Sequence, residues 1–559
     1  MSAAQLSASS VYACFPPTVR GQPTAIKLSP KRDKICYALG NVVIIRDVVP
    51  QGDKPIQVQT YIGHSYPVTA VEMAPSGCYM ASGDSTGCLR IWACDNPDQV
   101  LKLETSLFGG PVLDIAWSGD SQRLIGCGDG KSTFAKVIMW DSGNTVGEVA
   151  GHAKKVNTCS FKSSRPFRLA TGGDDNKVNF HEGPPFKFKS TPHTHERFVN
   201  CVRFSPDGSQ FFSTSSDATL SLYDGKEGSV SLQQKVHAGS INAAMWSADG
   251  KQILTASGDG TAKVLEAATL NAIGEISFLS GDPKKKVEEQ QIGCAWTAAG
   301  LLTYSLGGLL SLRTAVTDAA PSLVQRGHNK PVSALAFDTA NGRLLSGGFE
   351  DGPGSLKGSL LSWDLSTGVA AGFSGAGHAN NVMGIGISAG VLVTCSTDDS
   401  VCFSSAAASA YGDRVAIGAC PRGFSCGGDT AAVVTTTDNL VLFSISKRAK
   451  AAEHRLKFSP TCISVASNDQ LFAVGGEDNN VHVLGPDGGE KHALSRHKGH
   501  VSCVAFSPGC DLIASGCANK ELVVWNAADG TAVITGLQAR HRRVTVASPP
   551  RHHHPPTAT

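Results

Sequence analysis

The chain has 559 residues, of which 41% are hydrophobic and 17% charged, and it carries a formal net charge of +2. A length several times that of a typical domain predicts more than one hydrophobic core, and this balance of apolar and charged residues excludes a disordered chain. The near-neutral charge lacks the basic footprint of a dedicated nucleic-acid binder, so no nucleic-acid partner is expected.

The beginning of the chain, residues 1–19, is predicted to be a short segment ahead of the first domain. It has neither the basic stretch nor the apolar stretch of a signal peptide, and no apolar run approaches the roughly 20 residues needed to cross a bilayer. The 17 cysteines are dispersed, which indicates reduced thiols and not a disulfide scaffold or a zinc module. We expect a soluble cytoplasmic protein with no membrane partner, no metal and no cofactor.

One phrase, a small residue followed by a turn and a strand, recurs along the chain, as in ASGDSTGCLRIW near the start and ASGCANKELVVW near the end. Subtracting neighbouring turn positions gives spacings of 40–48 residues, close to the ~40–45 residues of a four-stranded propeller blade. The repeat therefore predicts a series of propeller blades. The turn residues are Gly40, Asp84, Asp129, Asp174, Asp217, Asp259, Gly307, Asp351, Asp398, Asp438, Asp478 and Asn519.

Gly-His pairs before many of these turns, and Trp after some of them, are typical of WD repeats. In the second repeat, His64, Ser82, Asp84 and Trp92 are predicted to form a buried polar relay inside the blade. Because the set recurs from blade to blade, we interpret it as structural and not as catalytic. The pairs are Gly63-His64, Gly151-His152, Gly327-His328, Gly377-His378 and Gly499-His500, and the tryptophans are Trp92, Trp140, Trp363 and Trp525.

Propellers usually have four to eight blades, so twelve repeats predict two rings in an all-β protein. We expect a seven-bladed propeller over 20–325 and a second one over 326–538 that is incomplete or open, with about five blades plus a remnant. The last residues, 539–559, are rich in Pro, Arg and His and are expected to be disordered. Because an open ring leaves unpaired strand edges, the C-terminal half is expected to be the less stable one.

Two short motifs resemble catalytic ones but lack the required context. GCGDGKS at 126–132 has three residues between its first Gly and the Gly-Lys pair, where a phosphate-binding loop has four. GFSCG at 423–427 matches a nucleophile elbow, which needs a strand-to-helix turn that an all-β repeat does not supply. We therefore expect no enzyme activity.

Several segments are more specific than a general WD repeat, among them VYACFPPTVRGQP at 11–23, SRPFRLATGGDDN at 164–176 and HEGPPFKFKS at 181–190. On these segments, the chain resembles the actin-interacting protein 1 family from about residue 11 to about residue 535. The resemblance implies two seven-bladed propellers in a cytoplasmic, cytoskeletal protein. It also implies binding to actin filaments decorated with cofilin (ADF), and promotion of their disassembly and barbed-end capping without bond chemistry.

The resemblance further implies a filament-facing surface on the third and fourth blades of the first propeller. Ser132 stands where the family phrase has an acidic residue in contact with the partner, so the resemblance does not imply that part of the electrostatic contact for this chain. Core packing is the alternative role for the phenylalanines, and an ordinary blade turn is the alternative for Asp174. The alternative function is a WD scaffold for a signalling or ubiquitin-ligase complex. By position, the candidate contacts are Asp129, Ser132, Asp174, Phe186, Phe188 and Phe198.

Overall fold

The computed structural model describes residues 11–22, 24, 26–283, 286–328, 330–352 and 355–538. Within these residues the chain forms 48 β-strands and no helix, so the described part has no helix suited to spanning a membrane. The strands build twelve separate four-stranded antiparallel sheets, each from four consecutive strands. The predicted all-β fold of four-stranded repeats is confirmed. We call the sheets blades 1 to 12 in chain order.

The chain divides into two compact units between Asn329 and Lys330. The first unit contains blades 1 to 7. Its strands are β1 (Lys27–Leu28), β2 (Lys34–Leu39), β3 (Val42–Asp47), β4 (Val58–Tyr61), β5 (Val68–Met73), β6 (Tyr79–Asp84), β7 (Cys88–Ala93), β8 (Leu101–Ser106), β9 (Val112–Trp117), β10 (Arg123–Gly128), β11 (Ala135–Met139), β12 (Thr145–Glu148), β13 (Val156–Phe161), β14 (Arg168–Gly173), β15 (Lys177–Glu182), β16 (Lys187–Thr194), β17 (Val199–Phe204), β18 (Gln210–Ser215), β19 (Thr219–Asp224), β20 (Val230–Lys235), β21 (Ile241–Trp246), β22 (Gln252–Ser257), β23 (Thr261–Glu266), β24 (Ala272–Ser277), β25 (Gln291–Thr297), β26 (Gly300–Ser305), β27 (Leu309–Arg313) and β28 (Leu323–Arg326).

The second unit contains blades 8 to 12. Its strands are β29 (Val332–Asp338), β30 (Arg343–Gly352), β31 (Ser355–Asp364), β32 (Ala370–Gly372), β33 (Val382–Ser388), β34 (Val391–Ser396), β35 (Ser400–Ser405), β36 (Asp413–Ala416), β37 (Pro421–Cys426), β38 (Thr430–Thr435), β39 (Asn439–Ser444), β40 (Ala449–Arg455), β41 (Pro460–Val465), β42 (Phe472–Gly476), β43 (Asn480–Leu484), β44 (Glu490–Ser495), β45 (Val501–Phe506), β46 (Leu512–Cys517), β47 (Glu521–Asn526) and β48 (Ala532–Gln538).

The position of a strand within its blade determines how it is buried. Second strands such as β22, with the sequence QILTAS, are buried on both faces because neighbouring blades cover both sides. Outermost strands such as β20, with the sequence VSLQQK, alternate between exposed and half-buried residues. The hydrophobic core is therefore divided into layers between consecutive blades.

The seven blades of the first unit close into a ring. The first strand of each blade packs against the first strand of the next, from β1 through β5, β9, β13, β17 and β21 to β25, and β25 packs against β1. Backbone hydrogen bonds join the two ends, since Thr24 N donates to Ile292 O at 3.0 Å and Ala298 N donates to Arg32 O at 2.8 Å.

A segment ahead of β1, residues 13–17, is inserted at the junction between blade 1 and blade 7. Phe15 is 1% exposed, and its ring centroid lies 6.5 Å from that of Tyr37 in blade 1 and 6.1 Å from that of Tyr304 in blade 7. The Tyr37 hydroxyl donates to Cys14 O and the Tyr304 hydroxyl donates to Pro16 O, each at 2.8 Å. We call residues 13–17 the closing segment, because it bonds to both ends of the ring.

The innermost strands of the first ring carry a network of buried charges. The Lys27 ammonium donates to Asp114 Oδ1 at 2.8 Å and also contacts the Glu72 carboxylate. Arg203 Nη1 and Thr158 Oγ1 donate to Asp114 Oδ2 at 2.9 and 3.0 Å. Burial opposes the ionisation of Asp114, but the charges of Arg203 and Lys27 outweigh it and lower its pKa to about 2. These residues lie on β1, β5, β9, β13 and β17, so the network joins five blades.

The second unit contains five blades packed in series. Its first strands β29, β33, β37, β41 and β45 pack in succession, but within the described residues β45 does not pack against β29 as β25 packs against β1. β29 leaves Val332, Leu335 and Phe337 exposed at 38%, 63% and 49%. The prediction of disorder over 539–559 concerns residues outside the described part of the chain.

Candidate functional site

The four residues expected to form a relay in the second repeat lie within hydrogen-bond distance of one another. His64 Nε2 is 2.8 Å from Ser82 Oγ, and His64 Nδ1 is 3.3 Å from Asp84 Oδ2. The Trp92 indole N–H donates to Ser82 Oγ at 3.2 Å. Asp84 also accepts from Thr86 and from the backbone of Cys88. The relay therefore connects the loop before β5 to the second and third strands of the blade, β6 and β7.

The same arrangement recurs in other blades, including two that the Gly-His pairs do not mark. His195 and His237 contact Asp217 and Asp259, each at 3.0 Å. Neither histidine follows a glycine, but each stands four residues before the Val or Ile that begins the next inner strand, as His64 does. That spacing was the signal in the sequence that would have found them.

Two positions of the predicted pattern are corrected by the contacts. In blade 4, His152 Nδ1 pairs with Asp175 at 2.9 Å and not with Asp174, the turn residue assigned from the sequence. In blade 12, His497 Nε2 contacts Ser515 Oγ at 2.7 Å, whereas His500 of the Gly-His pair is exposed. The spacing of four residues before the inner strand identifies His497 as well.

Blade 4 has a histidine where blade 2 has Trp92. His181 stands ten residues after Thr171, and its Nε2 lies 3.3 Å from Thr171 Oγ1. Burial lowers the pKa of His181 to about 3, and nearby His152 adds to the effect. The ring of His181 also lies edge-on to Phe188, with centroids 5.9 Å apart. The internal relay of blade 4 is thus in contact with a candidate surface residue.

Phe186 is a core residue, which makes its assignment as a direct binding contact wrong. It is 0% exposed and packs edge-on against Phe161 with ring centroids 5.3 Å apart. It lies in the turn before β16, so its side chain enters the layer between blades 3 and 4. A fully buried ring cannot contact a partner, and Phe186 serves to hold the EGPPFKF turn in place.

Phe188 and Phe198, in contrast, are exposed at 44% and 49%. Phe188 lies on the outermost strand of blade 4 against Gly151, where an added Cβ would come within 2.7 Å of the Phe188 ring. Phe198 lies in the loop between blades 4 and 5, directly before β17. Large apolar side chains exposed beside polar loops are typical of interface anchors.

Asp174 is held in a fixed position next to this loop. Asn157 Nδ2 donates to Asp174 Oδ1 at 2.7 Å and also to the carbonyl oxygen of Val199, at 3.1 Å. The Lys155 ammonium lies 3.3 Å from Asp174 Oδ2. Asn157 therefore links Asp174 to Val199, the residue after Phe198, and the Asp174 carboxylate pairs with a half-exposed lysine.

Asp129 and Ser132 lie in the corresponding turn of blade 3, between β10 and β11, and both are exposed. The backbone N–H of Asp129 donates to Pro111 O at 3.2 Å, and that of Ser132 donates to Gly130 O at 2.8 Å. We use the name blade 3–4 surface for the set of residues in these turns and loops that are not buried: Asp129, Ser132, Lys155, Asp174, Phe188 and Phe198.

The two motifs that resemble catalytic ones both lie in strands. GCGDGKS begins within β10 and is followed by β11, and GFSCG lies almost entirely within β37. Neither is followed by the helix that a phosphate-binding loop or a nucleophile elbow requires.

Comparison with protein families agrees with this geometry. The family model "WD domain, G-beta repeat" matches residues 55–93, 143–182, 186–224, 229–265 and 488–526. These matches cover blades in which the His-Asp or His-Ser relay is formed. The protein is therefore a WD-repeat β-propeller protein.

Relatives of known name extend along nearly the whole chain. "WD repeat-containing protein 1" of Xenopus tropicalis is 37% identical over 554 residues, covering 97% of this chain and 89% of the relative. "Actin-interacting protein 1" of Drosophila melanogaster is 32% identical over 528 residues, covering 92% and 83%. "66 kDa stress protein" of Physarum polycephalum is 36% identical over 550 residues, covering 96% and 87%. The chain belongs to the family of actin-interacting protein 1 and WD repeat-containing protein 1, which confirms the resemblance found in the sequence.

Proposed function

We propose that this protein binds actin filaments and, together with cofilin, promotes their disassembly and caps their barbed ends. It would act at the cytoskeleton by binding and not by catalysis. The observation that carries the proposal is the similarity, over 92% of this chain, to a relative named actin-interacting protein 1. A similarity of that extent includes the blades, the loops between them and the blade 3–4 surface.

The blade 3–4 surface has the chemistry that a filament contact requires. Phe188 and Phe198 offer exposed aromatic rings, and aromatic residues are enriched among the side chains that contribute most to protein interfaces. Asp174 is held by Asn157 and Lys155, so little side-chain entropy is lost when it meets a partner. Both positive and negative side chains lie around the two aromatic rings, as Lys155 and Asp174 do. This favours a partner surface that also carries groups of both signs over a uniformly acidic polymer.

The mechanism that we propose is a shift of populations. A protein that binds the cofilin-decorated filament more tightly than the bare filament stabilises the decorated state by the difference between the two affinities. The loops that would make this distinction are attached to a closed ring whose relays and ion network restrict their motion. No step requires a bond to be made or broken.

Co-sedimentation with actin filaments, in the presence and absence of cofilin, tests the proposal. The protein is expected to pellet with filaments more strongly when cofilin is present, and to speed the loss of filament mass measured by light scattering. A protein that stays in the supernatant under both conditions and leaves the rate of disassembly unchanged would contradict the proposal. That result would favour a WD scaffold for other partners.

A further inference from the structure

Blades 5, 6 and 9 share one hydrogen-bond pattern around the relay histidine. In blade 5, His195 Nδ1 lies 3.0 Å from both Asp217 Oδ2 and Thr219 Oγ1. Ser215, two residues before Asp217, accepts from the backbone N–H of Asp217 at 3.1 Å. The Nδ1 side of the histidine is therefore lined by one carboxylate and by the side chain two residues beyond it. The corresponding residues are Ser257, Asp259 and Thr261 in blade 6, and Ser396, Asp398 and Ser400 in blade 9.

Blade 12 differs from this pattern at all three positions. Cys517 replaces the serine, Asn519 replaces the aspartate, and Glu521 replaces the threonine or serine. The relay histidine His497 is retained, with its Nε2 at 2.7 Å from Ser515 Oγ. A thiol and a carboxylate thus stand where the other blades have hydroxyl groups, and the usual carboxylate partner of Nδ1 is absent.

His497 has a buried ring nitrogen without a partner. The residue is 6% exposed, and among the described residues no donor or acceptor lies within hydrogen-bond distance of its Nδ1. A buried polar atom left unpaired costs about 1–3 kcal/mol. Glu521 occupies the place of Thr219, whose hydroxyl touches Nδ1 in blade 5, and by this correspondence the thiol and the carboxylate belong on the side of the ring that carries the unpaired nitrogen.

Ligand atoms of His497, Cys517 and Glu521 lie within 4.8 Å of one another, and Cys517 Sγ is 3.9 Å from Glu521 Oε2. Zn²⁺ binds imidazole nitrogen, thiolate sulfur and carboxylate oxygen at about 2.0–2.3 Å in tetrahedral geometry, and these three residues supply one ligand atom of each kind. We propose that these three residues bind a divalent cation of the zinc type, with the fourth position taken by water or by another ligand.

The surroundings of the histidine suit metal binding. Burial lowers the pKa of His497, although the charge of Glu521 opposes the effect. When Nδ1 binds the metal, the ring proton is carried by Nε2 and accepted by Ser515 Oγ, which also accepts the indole N–H of Trp525 at 2.8 Å. Binding releases the proton of the Cys517 thiol to solvent and leaves a thiolate on the metal.

A metal at this site would take the place of the missing aspartate. In the other blades the aspartate fastens the loop before the inner strand to the turn between the second and third strands, as Asp217 does by accepting from Glu196 N at 3.0 Å. His497 lies in the loop before β45, whereas Cys517 and Glu521 flank the turn between β46 and β47. A bound cation would join the same two elements in blade 12.

The experiment uses the full-length protein stripped of metal with a chelator. Native mass spectrometry and titration with Zn²⁺ are expected to show one tightly bound ion, and Co²⁺ is expected to produce a thiolate charge-transfer absorption. Cys517→Ser and Glu521→Thr restore the residues of blade 5, so both variants should fold. Each is expected to weaken binding more than about 100-fold, since even the loss of a group that only orients a ligand costs about 10–100-fold.

Two controls separate this site from other ligands in the chain. Cys420→Ser removes an exposed thiol elsewhere in the second unit, and replacement of His552, His553 and His554 by alanine removes the histidine run near the end of the sequence. Both controls are expected to keep the tight ion and the cobalt absorption. The proposal is wrong if the wild-type protein binds no ion tightly, or if Cys517→Ser binds as the wild type does while the His552–His554 variant loses the ion.

Discussion

Arg203 on β17 donates to Asp114 on β9 at 2.9 Å, across two blades of the first ring. Asp114 also accepts from Lys27 on β1, so one buried carboxylate balances two cations, Lys27, which is buried, and Arg203, which is partly exposed. Asp114→Asn would leave both cations without their shared counter-charge. Loss of one partner of a buried ion pair costs about 3–5 kcal/mol, and we expect a loss of that size in the free energy of unfolding of the first unit.

Hydrogen exchange of peptides from residues 27–326, followed against denaturant, measures this loss for the first unit alone. Glu275→Ala is the matched control within the same unit, because it breaks the surface pair with Lys263, where the two atoms are 3.1 Å apart. That pair is expected to contribute no more than about 1 kcal/mol. Equal effects of the two variants would mean that the buried network does not hold the ring together.

His181 is expected to make the first unit sensitive to mild acid. Its pKa of about 3 in the folded state lies below the unfolded value of about 6.5. The neutral form is therefore favoured by folding, and its contribution to stability is complete above pH 6.5 and is lost as the pH falls from there towards 3. The slope for one such group is at most about 1.4 kcal/mol per pH unit.

His181→Tyr tests this pH dependence, because Tyr223 occupies the same position in blade 5 and its hydroxyl lies 2.8 Å from Ser213 Oγ. The variant is expected to show a flatter dependence of unfolding free energy on pH between 6.5 and 4. His500→Tyr changes an exposed histidine and should leave the slope as it is. If His181→Tyr keeps the wild-type slope, other groups govern the acid response.

Phe15 is expected to be essential for a closed first ring. It is 1% exposed, and the guanidinium of Arg46 lies 4.9 Å from the centre of its ring. Removal of a buried Phe side chain costs about 3–5 kcal/mol, so Phe15→Ala should lower the stability of the first unit by that amount. Val19→Ala, at a site 50% exposed, is the control and should change stability by less than about 0.5 kcal/mol. In the Phe15→Ala variant, hydrogen exchange of backbone amides is expected to be faster in blades 1 and 7 and unchanged in the other blades of the first unit.

Phe198→Ala is expected to weaken filament binding without affecting the fold. An exposed ring that becomes buried at an interface can contribute about 2 kcal/mol, which corresponds to a roughly 30-fold change in affinity. Ile273→Ala is matched in exposure, 50% against 49%, and lies on blade 6, away from the blade 3–4 surface. Co-sedimentation with cofilin-decorated filaments compares the two variants. Equal binding by both would mean that the contact surface lies elsewhere.

The second unit is expected to be cleaved before the first in limited proteolysis. Its strand β29 exposes Leu335 and Phe337, whereas in the described part of the first unit the corresponding strand β1 packs against β25. Exposed strands with an open edge have a low free energy of local opening. Mass spectrometry of the fragments should show cuts after residue 330 while residues 27–326 remain intact. Equal resistance of the two units would contradict this expectation.

The repeating elements of the fold could be predicted from the sequence because their period depends on the backbone of each blade. Side-chain register was predicted less well. In GGDDN two aspartates are adjacent, and only packing shows that Asp175 meets the histidine while Asp174 meets Lys155. Phe186 and Phe188 are two residues apart, but Phe186 precedes β16, so the alternation of a strand does not govern the direction of its side chain.

The ion network could not be predicted in detail because its members come from different repeats. Glu72, Asp114 and Arg203 each interrupt an apolar inner strand, in VTAVEM, VLDIAW and VNCVRF. A charged residue inside such an apolar strand was the feature of the sequence that could have identified the members of the network. Its partner is decided by closure of the ring, which brings together residues about 45 or more positions apart.

The closing segment has a consequence for synthesis on the ribosome. Pro16 accepts its hydrogen bond from Tyr304, which is 288 residues further along the chain. At roughly 5–20 residues per second, the segment emerges about 15–60 s before its partner is made. During that interval the growing chain carries six or fewer finished blades with nothing to complete the circle. Phe15 can pack against Tyr37 and Arg46 of blade 1 during that time, but the Tyr304 side of its site is still missing, so its ring stays partly uncovered and accessible to a chaperone until the last blade of the ring is made.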